Sequence, residues 1–243
     1  MKLLLSLVAA TALLAGGNAL AIDAAKVTQA LADPARSDAD KALVGSRKPV
    51  EVLDYLGLEE GMTVLDIMSG GGWYTEVLSR AVGPTGKVYM QNSEAALARG
   101  TTQATVDARL AALSNVELLK QNVSVDLGLP ADSIDFAITN LNFHDVYNGD
   151  PAAAQTFLTN VKNALKPGGI FGLIDHEGTM GADNATLHRI PLEQVIAAVQ
   201  QAGLTIVESD SDLLNVPTDN HSQAPFAAEL ERNTDRFILK LTK

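Results

Sequence analysis

Short apolar runs alternate with longer amphipathic stretches along most of the chain. Apolar runs typical of buried strands lie at 64–67, 88–91, 116–119, 134–139, 170–174, 205–207 and 237–241. Apolar residues spaced three and four positions apart predict helices over 49–56, 74–81, 95–113, 152–165 and 192–201. Strands that alternate with helices predict an α/β fold with a doubly wound, mostly parallel seven-stranded sheet covered on both faces.

The first residues have the pattern of a signal peptide. Lys2 precedes an apolar run over 3–15, and Ala19 and Ala21 supply the small residues that a signal peptidase site needs. The run is shorter than the ~20 residues that a membrane-spanning helix requires. We therefore expect a signal peptide over 1–21 that is cleaved after Ala21, no membrane span in the mature chain, and a periplasmic or secreted protein.

The remaining chain is expected to form an N-terminal arm over 22–47, with some helix, and one domain over 48–243. Residues 208–236 carry no clear helix or strand signal. A segment of this length inside a compact domain is usually functional, and we expect it to fold over a ligand crevice as a lid.

Composition and charge exclude several classes of function. Lys and Arg number 18 against 29 Asp and Glu, which gives a formal net charge of −11. A phosphate backbone would be repelled by this average field, so nucleic acid is not an expected partner. The chain has no cysteine, which excludes disulfides, thiolate zinc sites and cysteine nucleophiles. The sequence leaves the oligomeric state open.

A glycine turn follows the first predicted strand. The segment 63–72 reads TVLDIMSGGG, so that a buried strand leads through Gly70, Gly71 and Gly72 into a helix. Glycines permit positive φ and close approach of a ligand to the backbone, and the helix start offers free N–H groups. A tight turn without a ligand is the alternative. A Walker phosphate loop is excluded because no Gly-Lys-Ser/Thr follows.

With its neighbours, this turn resembles the class I S-adenosylmethionine-dependent methyltransferases. The resemblance covers about 48–242 and rests on the motifs DIMSGGG, GKVYMQN, LLKQNV, DSIDFA and LKPGGIF, which occur in the family's order. Further segments, DH at 175–176, HRI at 188–190 and TDRF at 234–237, are similar to a subgroup of exported bacterial predicted methyltransferases. The resemblance implies a Rossmann-like methyltransferase fold with the last strand antiparallel, and S-adenosylmethionine as cofactor.

The resemblance also implies where the cofactor binds. Asp66 matches the acid of the family's first motif, and the turn after it would cradle the cofactor. The expected cofactor-binding residues are Asp66, Ser69, Gly70, Gly71, Gly72, Asn92, Asn122, Val123 and Asn140. Three positions depart from the family pattern, because Met68 replaces a glycine, Asn92 replaces the ribose-binding acid and Asn122 replaces a common Asp near the adenine.

Histidines and acids follow the later predicted strands. His144 and Asp145 come after the fourth strand, Asp175 and His176 after the fifth, and His188 before the next helix. Because neighbouring strand ends converge at a ligand crevice, we expect these residues to share one pocket. Histidine titrates near neutral pH, so His144 or His176 is the expected catalytic base, with Asp145 or Asp175 orienting it.

The same side chains are also possible metal ligands. No spacing such as His-x-x-x-His occurs, so no metal site is predicted. Arg189 is a candidate partner for a substrate carboxylate. The leading hypothesis is therefore an exported methyltransferase that acts on a small-molecule acceptor in the cell envelope. The alternatives are a non-catalytic small-ligand-binding protein on the same scaffold and, less favoured, a metal-dependent hydrolase.

Overall fold

The computed structural model describes residues 21–100, 102–230 and 232–243. The predicted signal peptide, apart from Ala21, lies outside these residues. Among the described residues, no helix combines the length and the apolar character that crossing a membrane requires.

Eleven helices and seven strands are found within the described part of the chain. The helices are α1 (Ala24–Leu31), α2 (Asp38–Ala42), α3 (Val44–Arg47), α4 (Pro49–Leu56), α5 (Trp73–Val82), α6 (Glu94–Leu97), α7 (Thr102–Ala112), α8 (Phe143–Gly149), α9 (Pro151–Ala164), α10 (Asn184–Leu187) and α11 (Leu192–Gln201). The strands are β1 (Thr63–Ile67), β2 (Lys87–Gln91), β3 (Val116–Leu119), β4 (Ile134–Asn140), β5 (Leu165–His176), β6 (Thr205–Asp210) and β7 (Arg236–Thr242).

The seven strands form one sheet in the order β3-β2-β1-β4-β5-β7-β6. Strands β1 to β5 pair in parallel, whereas β7 is antiparallel to both β5 and β6. This arrangement confirms the predicted fold class, including the antiparallel last strand.

Apolar side chains bury both faces of the sheet. On one face α1, α4 and α5 pack through Val27, Leu53 and Val77. On the other face α9 and α11 pack through residues such as Phe157 and Val195. Strands β1, β4 and β7 are accordingly buried over most of their length, as expected inside a sheet that helices cover from both sides, whereas the edge strand β6 is mostly exposed.

Three local predictions differ from the structure. The helix predicted over 95–113 is two helices, α6 and α7, and Gly100 between them has φ +53°, which an α-helix does not contain. Helix α8 was not predicted. Strand β5 begins at Leu165, five residues before the strand predicted over 170–174, and Ile134 pairs with Leu165 and Phe136 with Ile170, so that residues 166–169 bulge out of the ladder.

Candidate active site

The sheet has its switch point between β1 and β4. Strands β2 and β3 continue on one side of this pair and β5, β7 and β6 on the other. Chain connections diverge at such a point and leave a crevice at the carboxyl ends of the strands. Residues 68–72 follow β1, and residues 141–142 follow β4. The Asn142 Nδ2 atom donates to the Met68 carbonyl at 3.1 Å and so ties the two loops together.

The glycine loop leaves open space at one position and packs tightly at another. Gly70 has φ +54°, and a Cβ built there would meet no protein atom within 4 Å. Gly72 has φ +80°, and a Cβ there would lie 2.7 Å from Cε of Met90. Met68 has φ +53°, a left-handed conformation that costs a side-chain-bearing residue about 1–2 kcal/mol. The family's glycine at this position would adopt it without that cost.

Polar side chains at the end of β2 brace the loop. Gln91 Oε1 accepts from the Met68 N–H at 2.8 Å. Asn92 Oδ1 accepts from the Gly70 N–H at 3.0 Å, while its amide nitrogen donates to Ser69 Oγ at 2.8 Å and to the Gly70 carbonyl at 3.0 Å. Both N–H donors of the buried Asn92 amide are therefore used within the protein. Asn92 holds the glycine loop, a role that the sequence did not indicate.

Two cavities meet at this loop. The larger, about 370 Å³, opens between the loop, the N-terminal helices and the end of β5. The smaller, about 280 Å³, lies between the loop and the turns after β2 and β3. Met68, Gly70 and Asn142 line both cavities. The arrangement offers two adjoining spaces whose sizes are close to or within the range that small ligands occupy, roughly 300–1,000 Å³.

Most of the predicted cofactor-binding residues line these cavities. The larger is lined by Asp66, Ser69, Gly70, Gly71 and Asn140, and the smaller by Gly70, Asn92, Asn122 and Val123. Gly72 lines neither cavity and instead forms the N-cap of α5.

Asp66 is a buried carboxyl at the end of β1. The Thr75 hydroxyl donates to its Oδ2 at 2.5 Å. Burial raises the pKa of Asp66 to about 7, although the Thr75 hydrogen bonds and the Arg47 charge favour the carboxylate. Asp66 therefore changes charge near neutral pH.

Two arginines that the sequence did not single out line the larger cavity, Arg47 and Arg232. The Arg47 guanidinium lies over the Trp73 ring, 4.4 Å from its centroid. Neither arginine forms a salt bridge to a described residue. Arg47 lies 185 positions before Arg232 in the chain, so no local spacing links them. Asp40 and Asp66 also line this cavity, and Asp40 forms a salt bridge with Arg109, so the cavity contains both guanidinium and carboxyl groups.

The predicted histidines and acids come together at the ends of β4 and β5. The carboxylate of Asp175, fully buried, accepts from the backbone N–H of His144 at 2.7 Å and of His176 at 2.8 Å. Its Oδ1 also lies 2.7 Å from Nδ1 of His144. On the outer side, Asp145 Oδ1 lies 3.2 Å from His144 Nε2 and 3.0 Å from His188 Nδ1.

The two candidate bases differ in charge. Burial disfavours the imidazolium of His144, but hydrogen bonds to Asp145 and Asp175 outweigh it and raise the pKa of His144 to about 10. Burial, together with the positive charges of Arg236 and His144, holds the pKa of His176 well below its ordinary value. His176 is therefore neutral at pH 7, and it also lines the larger cavity, whereas His144 does not.

The long segment between β6 and β7 reaches the crevice. The Thr234 hydroxyl lies 2.6 Å from Nδ1 of His176, and Arg232 lines the larger cavity. The segment is fixed by Arg189, which is fully buried and makes two 2.8 Å contacts with Asp219. The prediction that Arg189 binds a substrate carboxylate is therefore wrong, because its guanidinium is used inside the protein.

The comparison with protein families matches residues 58–223 to a family described as a methyltransferase domain. Among curated proteins, the chain is 30% identical over 129 residues to an uncharacterized methyltransferase of Synechocystis sp., with 51% of each chain covered. It is 31% identical over 118 residues to the ubiquinone/menaquinone biosynthesis C-methyltransferase UbiE of Escherichia coli, covering 48% of this chain and 43% of that protein. These alignments span about half the length of the curated relatives.

Solved structures share the fold over most of the chain. A SAM-dependent methyltransferase from Aquifex aeolicus superposes with a TM-score of 0.61 at 23% identity, covering 90% of this chain and 97% of that one. The [4+2]-cyclase SpnF superposes with a TM-score of 0.60 at 18% identity, covering 89% and 91%. Because the family match extends over more than half of the sequence, the chain belongs to the methyltransferase domain family, and the predicted membership of the class I S-adenosylmethionine-dependent methyltransferases is confirmed.

Proposed function

We propose that this protein transfers a methyl group from S-adenosylmethionine to a small anionic acceptor held in the larger cavity. The observation that carries the proposal is the pair of cavities that meet at the glycine loop, at the switch point of a methyltransferase sheet. Two adjoining spaces suit a reaction in which donor and acceptor must be aligned with each other.

The residues present fit the cofactor. Open space in front of Gly70 lets a ligand approach the loop backbone. The smaller cavity, with Asn122 and Val123 at its far side, suits the adenosyl part. The amide nitrogen of Asn92 is already used, so Asn92 offers a ribose hydroxyl only its acceptor oxygen.

The larger cavity suits an anionic acceptor. Arg47 and Arg232 line it and form no salt bridge to a described residue, and a guanidinium recognises a carboxylate or phosphate by paired hydrogen bonds. His176 lines the same cavity, and Thr234 fixes its ring through Nδ1. We assign His176 as the base that receives the proton of an acceptor hydroxyl or amine. When bound, S-adenosylmethionine supplies the methyl group as an electrophilic carbon on sulfur.

Calorimetric titration of the full chain with S-adenosylhomocysteine, the demethylated product, tests cofactor binding. Gly70→Ala fills the open space and is expected to lower the affinity at least about tenfold, equivalent to ~1.4 kcal/mol. Gly83→Ala is the matched control, because Gly83 also has positive φ and open space but lies at the other end of α5. No heat at millimolar ligand, or equal losses in both variants, would contradict the proposal.

Product formation separates catalysis from binding alone. Incubation of the protein with S-adenosylmethionine and a cell-envelope extract is expected to release S-adenosylhomocysteine, and His176→Asn is expected to slow this release without weakening cofactor binding. Binding without release in any fraction would favour the non-catalytic ligand-binding alternative. Release that is unchanged in His176→Asn would refute the assignment of the base.

We also propose that the protein acts outside the cytoplasm, in the periplasm or as a secreted protein. Support comes from the sequence alone, from the apolar run before Ala21 and the small residues at its end. Cell fractionation and N-terminal sequencing of the mature protein test this location. A mature N-terminus at Ile22 in the periplasmic or secreted fraction is expected, and an intact Met1 in the cytoplasm would overturn it.

A further inference from the structure

His144, Asp145 and His188 bring three possible metal-ligand atoms together on the outer side of the site. These atoms all lie within 4.8 Å of one another. The Asp145 Oδ1 atom is 3.2 Å from His144 Nε2 and 3.0 Å from His188 Nδ1. Ligands bound to one ion at about 2.0–2.2 Å lie roughly 3–3.5 Å from each other, so both separations to Asp145 already suit a shared ion. We propose that these three side chains bind a first-row divalent metal ion. The ion displaces the Nε2 proton of the His144 imidazolium into solvent.

The contacts behind His144 have the form expected for a metal ligand. Asp175 lies 2.7 Å from His144 Nδ1, which directs Nε2 towards Asp145. Backbone N–H groups of His144 and His176 fix the Asp175 carboxylate in turn. A carboxylate on the far nitrogen of a ligating histidine sets its tautomer and strengthens it as a ligand, and such partners are usual at metal sites.

The exposure of the cluster suits an open site. His144 is buried, but the side chains of Asp145 and His188 are 52% and 42% exposed. Asp145 also lines the smaller cavity, which places the cluster at the edge of the crevice. Two histidines and one carboxylate leave further coordination positions for water or for an oxygen of a bound molecule.

The donor set selects the kind of ion. Two imidazoles and one carboxylate favour ions such as Zn²⁺ or Co²⁺ over Mg²⁺, which prefers oxygen ligands. The chain contains four histidines and no cysteine. His176 has its Nδ1 within hydrogen-bond distance of the Thr234 hydroxyl, and His221 Nε2 lies 3.6 Å from Asp219 and 3.5 Å from Asp235. Few other side chains therefore compete for such an ion.

Titration of the metal-stripped full chain with Zn²⁺ and Co²⁺ tests the site. Calorimetry is expected to show saturable binding of one Zn²⁺ per chain, and Co²⁺ is expected to give the visible absorption of a nitrogen-ligated ion. His188→Ala and Asp145→Asn are expected to lower the affinity at least about tenfold, and Asp175→Asn about 10–100-fold. His221→Ala is the control and is expected to bind as the wild type does. Mg²⁺ is expected to give no comparable signal.

Three results would overturn the proposal. The first is an absence of saturable Zn²⁺ binding at millimolar metal. The second is equal Zn²⁺ affinity in wild type and His188→Ala, and the third is a loss of affinity in His221→Ala as large as that in His188→Ala. His188 is partly exposed, so its variant is expected to fold, and urea unfolding of each variant checks this. The titration needs neither cofactor nor acceptor, so its outcome is independent of the proposed methyl transfer.

Discussion

The buried ion pair of Arg189 and Asp219 fixes the long segment between β6 and β7. The loss of stability on breaking this ion pair can be predicted quantitatively. The two side chains are 0% and 1% exposed and make two contacts of 2.8 Å. Arg189 also donates to the carbonyls of Glu177 and Gln223, and Asp219 accepts from the Asp235 N–H at 2.8 Å. The ion pair therefore forms hydrogen bonds with backbone inside the segment, at Gln223 and Asp235, and with backbone outside it, at Glu177.

Asp219→Asn leaves the buried guanidinium without a counter-charge while preserving the volume of the side chain. Breaking one side of a buried ion pair typically costs about 3–5 kcal/mol, because an uncompensated charge remains inside. The matched control is Glu117→Gln, which breaks the 2.7 Å contact with Lys87 between side chains that are 55% and 43% exposed. An exposed pair of this kind contributes about 0–1 kcal/mol.

Urea unfolding of both variants, with the slope compared with wild type, measures the two free energies. We expect Asp219→Asn to lose at least three times as much stability as Glu117→Gln. The double substitution Arg189→Met with Asp219→Leu is expected to recover much of the loss, because no buried charge is left. Equal, small losses in Asp219→Asn and Glu117→Gln would refute the reasoning.

Three further outcomes follow from the site. Asp66 has an ordinary pKa of 3.8 that burial raises to about 7, so its ionisation removes stability as the pH rises from about 4 through about 7. In urea unfolding, the free energy of unfolding of Asp66→Asn is then expected to exceed that of wild type by roughly 2–4 kcal/mol at about pH 8. Near pH 4 the two proteins are expected to differ little. Arg47→Gln is expected to slow S-adenosylhomocysteine release in the product assay about tenfold, as for loss of one charged hydrogen bond to the anionic acceptor, and an unchanged rate would contradict the role of its charge. Asn92→Asp, which restores the family's acid, is expected to lower the free energy of unfolding by about 1–3 kcal/mol, and a more stable variant would contradict the bracing role.

Much of the fold was predictable because local pattern and tertiary packing agree. Helix 192–201 and strand 116–119 have the predicted bounds in the structure. The strand is flanked by Asn115 and Lys120, and the helix follows Pro191 and ends two residues before Gly203. The glycine turn was also predictable, since Gly70 and Gly72 both take the positive φ that glycine permits.

Other features depend on contacts that no local pattern encodes. Arg47 and Arg232 meet at one cavity only because the segment after β6 returns to the N-terminal helices. Arg189 follows His188 in a loop near the predicted crevice, so the sequence suggests that it binds a ligand. Its partner Asp219 lies 30 positions away, in a segment without the apolar periodicity of a helix or strand. The break between α6 and α7 depends on the conformation of Gly100, and a single glycine inside an amphipathic pattern does not define such a break.

Two departures from the family pattern, Met68 and Asn92, both affect the conformation of the glycine loop. Met68 has a left-handed backbone conformation that glycine would adopt at lower cost. The Gln91 side chain offsets part of that cost, because its Oε1 accepts a hydrogen bond from the Met68 N–H. Asn92 adds donors to Ser69 and Gly70 that a carboxylate lacks, since an Asp there would face the Gly70 carbonyl with a second acceptor. An asparagine at 92 thus fixes the loop before any ligand arrives, which lowers the entropy lost on binding. Compared with an acid at this position, Asn92 loses a charged hydrogen bond to the ribose but holds the glycine loop in a preorganised conformation.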